Sequence, residues 1–310
     1  MAASDTQQLS VLVFCGPTGS GKTSLALSLA ERYPLEIISA DSRQVYRQMD
    51  IGTAKATVVE QAIASHHMID LIDPDQEFSV AEFVDQARPL IEEVTARGNL
   101  PCIVGGTGLY IRALLGGLAD LPSSDPVLRS ELHQREESCG IGTLYRELQQ
   151  VDPVAAQEIH PNNIIRIVRA LEVYMLSGRR MSDLKAEHRF SKQPYRVMKF
   201  APYFPRDELY RRINQRTEQM IDSGFVDEVR KLVDRYSFSL KSLQTLGYRE
   251  VLRFLKNEIT ADEMVADIQK HTRQYAKRQL TWFSKESDII WVDSSNKSGK
   301  VIRSIDNFLL

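Results

Sequence analysis

"LSVLVFCGPTGSGKTSLALSLAERY", Leu9 to Tyr33, decides the fold. An apolar run, "LSVLVFC" (9–15), passes directly into "GPTGSGKTS" (16–24), and the helical pattern "TSLALSLAERY" follows. Gly16-x-x-x-x-Gly21-Lys22-Thr23 matches the phosphate-loop pattern, and the two flanks that pattern requires, a buried strand before and a helix after, are both present. The physics is specific. Glycines let successive backbone N–H groups converge on phosphate oxygens, and the helix N-terminus adds partial positive charge. Lys22 is then expected to neutralise the terminal phosphate and Thr23 to hold Mg²⁺. Nothing in the loop reads a base, a ribose or a γ-phosphate, so it calls for a pyrophosphate-like group with a metal and does not by itself say ATP.

Further strand-like runs lie at "EIISA" (36–40), "HMIDL" (67–71), "PCIVG" (101–105), "VMKFAPY" (197–203) and "DIIWVD" (288–293). Helical patterns separate the first four runs, which predicts an α/β fold: a phosphate-loop, NTPase-like parallel sheet covered by helices on both faces. From Asp120 to about Gln193 only helices are expected: "SSDPVLRSELHQREESC", "GIGTLYRELQQV", "DPVAAQEIH" and "PNNIIRIVRALEVYMLSG". Their starts carry Asp125 before Pro126, Asp152 before Pro153, and Pro161. A strand-like run resumes at 197, so 120–193 is read as a helical insertion into a core made of 1–119 and 194–310. Arg206 to about Lys285 is helical again, and a polar turn and a short helix end the chain.

Of 310 residues, 43% are hydrophobic and 26% charged, a balance that supports a sizeable core. The net charge of -2 gives no whole-molecule attraction for nucleic acid, so any RNA contact must come from a local basic face. Cys15, Cys102 and Cys139 lack paired spacing and are read as buried reduced thiols. "MAASDTQQLS" is no signal peptide, and no apolar stretch approaches the roughly 20 residues of a membrane span. The expectation is a cytoplasmic protein without membrane or DNA partners, acting as a monomer.

Two more loops belong beside the phosphate loop. Strand 36–40 runs into Asp41 at its carboxyl end, where open α/β sheets bind ligands. A carboxylate there could bind magnesium, take a proton from an attacking group, or cap a helix. "GGTGLY" (105–110) ends the fourth strand with glycines and offers the Thr107 hydroxyl to the same crevice. An NTPase would normally place an Asp at the end of such a strand to support the metal and the attacking water. Its absence weakens a hydrolase reading, although small-molecule kinases also manage without it.

Basic residues gather at Arg196, Lys199, Arg206, Arg211, Arg212 and Arg216, at Arg166 and Arg169, and at Lys270, Arg273, Lys277, Arg278 and Lys285. Such runs are commonly solvated helix faces. Here Tyr210, Tyr275, Trp282 and Phe283 are interleaved, and RNA needs cations for phosphates and π surfaces for unstacked bases. Adjacent His66 and His67 point to opposite faces of a strand, which argues against a shared metal.

Taken in order, "GPTGSGKTSLAL", "DSRQVYRQMDIGTAKA", "HHMIDLIDP", "GGTGLYIRALLGGLADLP", "DPVAAQEIHPNNIIRIVRALEV", "GFVDEV", "LGYRE" and "TRQYAKRQLTWF" resemble the bacterial tRNA dimethylallyltransferases over roughly residues 9 to 293. The resemblance implies transfer of the dimethylallyl group of dimethylallyl diphosphate to N6 of adenosine 37, beside the anticodon, in tRNAs reading codons that begin with U. It implies that Gly16, Pro17, Thr18, Gly19, Ser20, Gly21, Lys22 and Thr23, with Arg216, hold the donor's diphosphate and Mg²⁺. Asp41 then matches the general base and Thr107 the diphosphate-side hydroxyl. The matching tRNA contacts are Asp41, Ser42, Arg43 and Gln44, Thr107, Arg129, Ile165, Arg166, Ile167, Val168 and Arg169, and Gln244, Thr245, Leu246, Gly247, Tyr248 and Arg249, with the insertion clasping the anticodon stem-loop. Departures from the family pattern put loop stiffness in question: Gly19 for a common alanine, Gly108 for a common methionine, Ala56 for a usual proline, and "HPNNIIR" for "HPND". Competing readings are prenyl transfer to a free adenine nucleotide, a small-molecule ATP kinase, and a non-catalytic RNA-binding module.

Overall fold

The structure, a computed structural model, describes residues 8–188, 194–293 and 297–310. The N-terminal residues 1–7, the expected far boundary of the insertion at 193 and the polar turn at 294–296 lie outside the described residues. The chain divides into two compact units, Met1–Leu115 with Gln193–Leu310, and Gly116–Lys192, so the near boundary falls just ahead of Asp120.

The first unit begins β1 (Leu9–Cys15), α1 (Lys22–Ala30), β2 (Leu35–Ser39), α2 (Val58–Ile63), β3 (His66–His67), α3 (Val80–Ala96), β4 (Leu100–Gly105) and α4 (Gly108–Gly116). The second unit holds α5 (Pro126–Cys139), α6 (Thr143–Val151), α7 (Pro153–Glu158), α8 (Ile164–Ser177) and α9 (Met181–His188). The first unit resumes with β5 (Tyr195–Tyr203), α10 (Arg206–Asp222), α11 (Phe225–Arg235), a 3₁₀ turn (Lys241–Gln244), α12 (Tyr248–Leu255), α13 (Ala261–Phe283), β6 (Ile289–Asp293) and α14 (Lys297–Leu309).

All six strands run parallel in the order β3-β2-β4-β1-β5-β6. A sheet covered on both faces needs apolar residues on both, which is why β1 reads as a continuous hydrophobic run and not an alternating one. Leu12 and Phe14 pack with Leu25 and Leu29 of α1 and Val301 and Ile305 of α14. Val11 and Val13 lie outside that cluster and are equally buried, as are Phe83, Ala87 and Ile91 of α3. Strand β3 stops at His67, short of the expected Leu71, because Met68 and Asp70 take positive φ (63° and 53°). The Asp70 turn is held by Lys55 Nζ, 2.5 Å from its carboxylate, and by its own N–H donating to Gln44 O.

In the second unit the expected aspartate caps form: Asp125 accepts from the Val127 and Leu128 amides and Asp152 from that of Ala155. Helix α8 is capped by Asn163 and not by the Pro161 signal. Leu132, Leu144, Leu148, Ile167, Val168 and Leu171 form this unit's own core. Among the described residues no helix is long and apolar enough to cross a membrane.

Candidate active site

The phosphate loop turns on three glycines with positive φ, Gly16 (126°), Gly19 (79°) and Gly21 (77°), conformations that cost an L-residue steric strain. A Cβ on Gly19 would also lie 2.9 Å from Ile213 Cγ1, so this chain has a reason for glycine there. Three groups at the loop point to an anion. The Ser20 hydroxyl is buried without a partner, and that of Thr23 makes no hydrogen bond among the described residues. Lys22 folds back to donate to Pro17 O at 2.7 Å, and burial, reinforced by the nearby Arg216 charge, brings its pKa from 10.5 down to about 8.

Asp41 follows β2 and accepts from the Arg43 amide at 2.9 Å through one oxygen. Its charge opposes the lowering of both Lys22 and Arg216, which places carboxylate, ammonium and guanidinium in one electrostatic neighbourhood. A cavity of about 550 Å³ is lined by Thr18, Asp41, Ser42, Arg43, Arg216 and the turn Gln244–Arg249. A second, of about 710 Å³, is lined by Gly19, Gly21, Lys22, Thr23 and, again, Arg216. Arg216 therefore faces both spaces, and burial lowers its pKa although Asp41 raises it.

Several residues expected as contacts make hydrogen bonds within the protein's own framework. The Thr107 amide donates to Ala40 O and its hydroxyl accepts from the Ser42 amide at 3.2 Å, so Thr107 reaches the cleft through Ser42 and does not line it. Gln44 is spent on the loop it belongs to: its amide donates to Thr53 O and Ala54 O and accepts from Ser39. Tyr248 is fully buried, edge-on to Phe225, with its hydroxyl donating to Glu228 at 2.6 Å. Ile167 and Val168 are buried in the second unit's core, whereas Ile165 (76% exposed) and Arg166 face solvent.

Three residues at the site, Gln279, Glu228 and Glu250, were not anticipated, and Arg212 was expected only as part of a basic strip. Gln279 accepts from the Thr18 amide (2.8 Å) and donates to Gly106 O (2.9 Å), latching the phosphate loop to the loop after β4. Glu228 accepts from three consecutive amides, Asp50, Ile51 and Gly52, as well as from Tyr248. Glu250 is buried and accepts from the Gly247 amide, Arg249 and His271. Arg212 donates to Gly19 O at 3.0 Å while lying over Phe204. A buried carboxylate inside a helical run was the one available signal, and it needs the loop partners to be read.

The basic strips separate on inspection. Arg196 bonds Ser10 and Phe308 O at the starts of β5 and β1, the sheet end opposite Asp41. Lys199 is paired with Asp288 and Glu286, and Phe283 is buried. Trp282 lies under Arg112 and would overlap a Cβ at Gly108, which accounts for glycine at that position. Cys15 and Cys102 are buried and their thiols pushed up by desolvation, but Cys139 is exposed, contrary to expectation. His67 contacts Glu36 and His66 the Ala64 carbonyl; no metal-binding cluster exists among the described residues.

In the second unit Arg129 and Arg169 share a fully buried partner, Glu172. Arg129 binds it through two nitrogens (2.8 and 3.0 Å) and Arg169 through one (2.5 Å), while the Asp125 amide donates at 2.7 Å. Burial pushes the Glu172 carboxyl up, but these donors outweigh it and hold it below the usual range.

A parallel sheet with a glycine-rich anion loop at its carboxyl edge, a carboxylate across the cleft and a helical second unit defines a protein of phosphate-loop type. The chain matches the model of the IPP transferase family over residues 44–286 and belongs to that family. It is 50% identical to tRNA dimethylallyltransferase 1 of Syntrophotalea carbinolica over 96% of both chains. Against the solved tRNA isopentenylpyrophosphate transferase of Bacillus halodurans it shows 41% identity and a TM-score of 0.71, covering 97% of this chain and 96% of that one. A solved eukaryotic dimethylallyltransferase acting on tRNA gives a TM-score of 0.83 at 28% identity, covering 97% and 79% of the two chains.

Proposed function

We propose that the protein transfers the dimethylallyl group from dimethylallyl diphosphate to N6 of adenosine 37 in tRNAs reading codons that begin with U, giving N6-(dimethylallyl)adenosine and diphosphate. The observation that carries this is the placement of Asp41 in the same cleft as Thr18 and Arg216, with Lys22 and Thr23 on the far side of that arginine. The adenine N6 lone pair is delocalised into the ring, so N6 is a weak nucleophile. The Asp41 oxygen not bonded to Arg43 accepts the N6 proton as the N6–C1 bond forms and the C1–O bond to diphosphate breaks. Lys22, Arg216 and the loop amides stabilise the charge that builds on the leaving group, each such donor lowering the barrier by roughly 2–4 kcal/mol.

The Thr23 hydroxyl, without a hydrogen-bond partner among the described residues, fits Mg²⁺, an ion that commonly combines few protein ligands with substrate phosphates and water. Bound there, the metal supplies charge neutralisation at the diphosphate. An anticodon-loop adenosine is easier to unstack than a paired one, which supports a tRNA hairpin as acceptor. The test is incubation with Mg²⁺ and labelled dimethylallyl diphosphate in the presence of unmodified tRNA, of AMP, or of ATP with candidate acceptors. Label on the tRNA adenosine is expected; label on AMP and never on tRNA overturns the proposal.

A further inference from the structure

We propose that Glu172 is a positioning residue for RNA: buried beneath Arg129 and Arg169, it fixes the two guanidiniums side by side as one cationic clamp for a tRNA phosphate. The inference rests on the tRNA reading above and adds a residue that does not itself touch substrate. Both arginines hydrogen bond to the same oxygen, Oε2 of Glu172, so their planar heads are brought together despite like charge. Arg169 is held a second time, by donation to Pro122 O at 2.8 Å, and Glu172 accepts a fourth hydrogen bond, from the Asp125 amide.

The asymmetry of exposure is what suggests a ligand. The Glu172 side chain is 0% exposed, while those of Arg129 and Arg169 are 39% and 26% exposed. Solvent therefore meets the cationic side of a group with one negative and two positive charges. Each guanidinium has five N–H donors, and the bonds to Glu172 and Pro122 leave several on each free. Stability alone explains the arrangement poorly, since a buried ion triad is often no more stabilising than well-packed apolar residues of similar volume. A pre-ordered pair of arginines, however, binds an anion without losing side-chain freedom at that moment. Arg166, exposed on the same helix, adds positive charge nearby.

The test compares wild type with Glu172→Gln and Arg129→Ala in steady-state transfer, in tRNA affinity as a function of salt, and in thermal melting. Glutamine keeps the shape of Glu172 but replaces one acceptor by a donor facing the arginines. If Glu172 positions the clamp, E172Q raises the tRNA KM about tenfold with kcat at saturating tRNA and the donor KM within twofold. The slope of log affinity against log salt then flattens by about one, as the loss of one phosphate contact requires, and R129A does the same. A purely structural role gives a lowered melting temperature and reduced active fraction with tRNA KM and salt slope unchanged, and that result overturns the proposal. Should E172Q not fold, R129A decides alone: an unchanged salt slope in a folded protein excludes the clamp. Failure of wild type to prenylate tRNA at all would instead strike the functional reading on which it rests.

Discussion

Lys22 offers the sharpest test of the anion site, because its protonation must couple to ligand binding. Burial and the Arg216 charge bring its pKa from 10.5 to about 8. At about 1.4 kcal/mol per pH unit, the protonated form costs about 3.5 kcal/mol more here than in water. A bound diphosphate removes most of that cost, raises the pKa again and draws in a proton above pH 8. With a pKa of about 8 the protonated fraction of the free protein falls about tenfold between pH 7 and pH 9, and diphosphate affinity should fall with it. Calorimetry of Mg²⁺-diphosphate binding in two buffers of different ionisation heat should show uptake of about half a proton at pH 8, after subtracting the same titration of Lys22→Met. The sign for folding is opposite. Between pH 8 and 10.5 Lys22 binds more protons in the unfolded chain than in the native one, so its contribution to stability rises with pH across that window, and Lys22→Met removes that contribution. An identical pH dependence in wild type and Lys22→Met would refute the placement of Lys22 against the ligand.

Asp41→Ala should abolish prenyl transfer while leaving tRNA binding within several-fold of wild type in a filter assay; transfer near the wild-type rate removes Asp41 from the mechanism. Gln279→Ala leaves the Thr18 amide and the Gly106 carbonyl unpaired, about 1–3 kcal/mol each, and should raise the donor KM at least tenfold with an unchanged tRNA KM. Gly19→Ala should raise the donor KM more than tenfold, since a methyl there meets Ile213 and the φ of 79° is strained; Ile213→Ala should restore part of it, and no restoration assigns the whole effect to the backbone.

The sheet was legible because a doubly covered parallel strand leaves an apolar run and because the phosphate loop fixes where the first strand ends. Five of the six strands lie within two residues of their apolar runs, whereas β3 is cut short by the Lys55–Asp70 contact, which no local pattern announces. Asp41 could be placed from the strand before it. Thr107, Gln44 and Tyr248 belong to motifs the sequence displays, yet their hydrogen bonds run to the protein's own framework, because a motif marks a position and not the direction of a side chain. Glu172, Glu228 and Gln279 were hidden for the converse reason. Each looks like one more polar residue on a helix, and only the partners, most of them distant in sequence, show what it holds.

The end of β4 bears on what the phosphate loop is for. In an NTPase the corresponding strand delivers an Asp to the metal and the attacking water. Here Gly105 and Gly106 occupy that place, and a side chain at either would have to displace a neighbour. A Cβ on Gly105 would come closer than 3.0 Å to the Ala40 backbone, and one on Gly106 equally close to the Gln279 amide. The two crowding neighbours are the residue that precedes Asp41 and the residue that latches Thr18. The strand end is thus closed to a metal-supporting carboxylate by the contacts that bring Asp41 and the phosphate loop together. A substitution that rebuilt the hydrolase carboxylate, Gly106→Asp, would have to break the Gln279 latch, so it should lose prenyl transfer without gaining ATP hydrolysis. Measurable ATPase activity in that variant would show that the loop's neighbourhood is less committed to a leaving group than its packing implies.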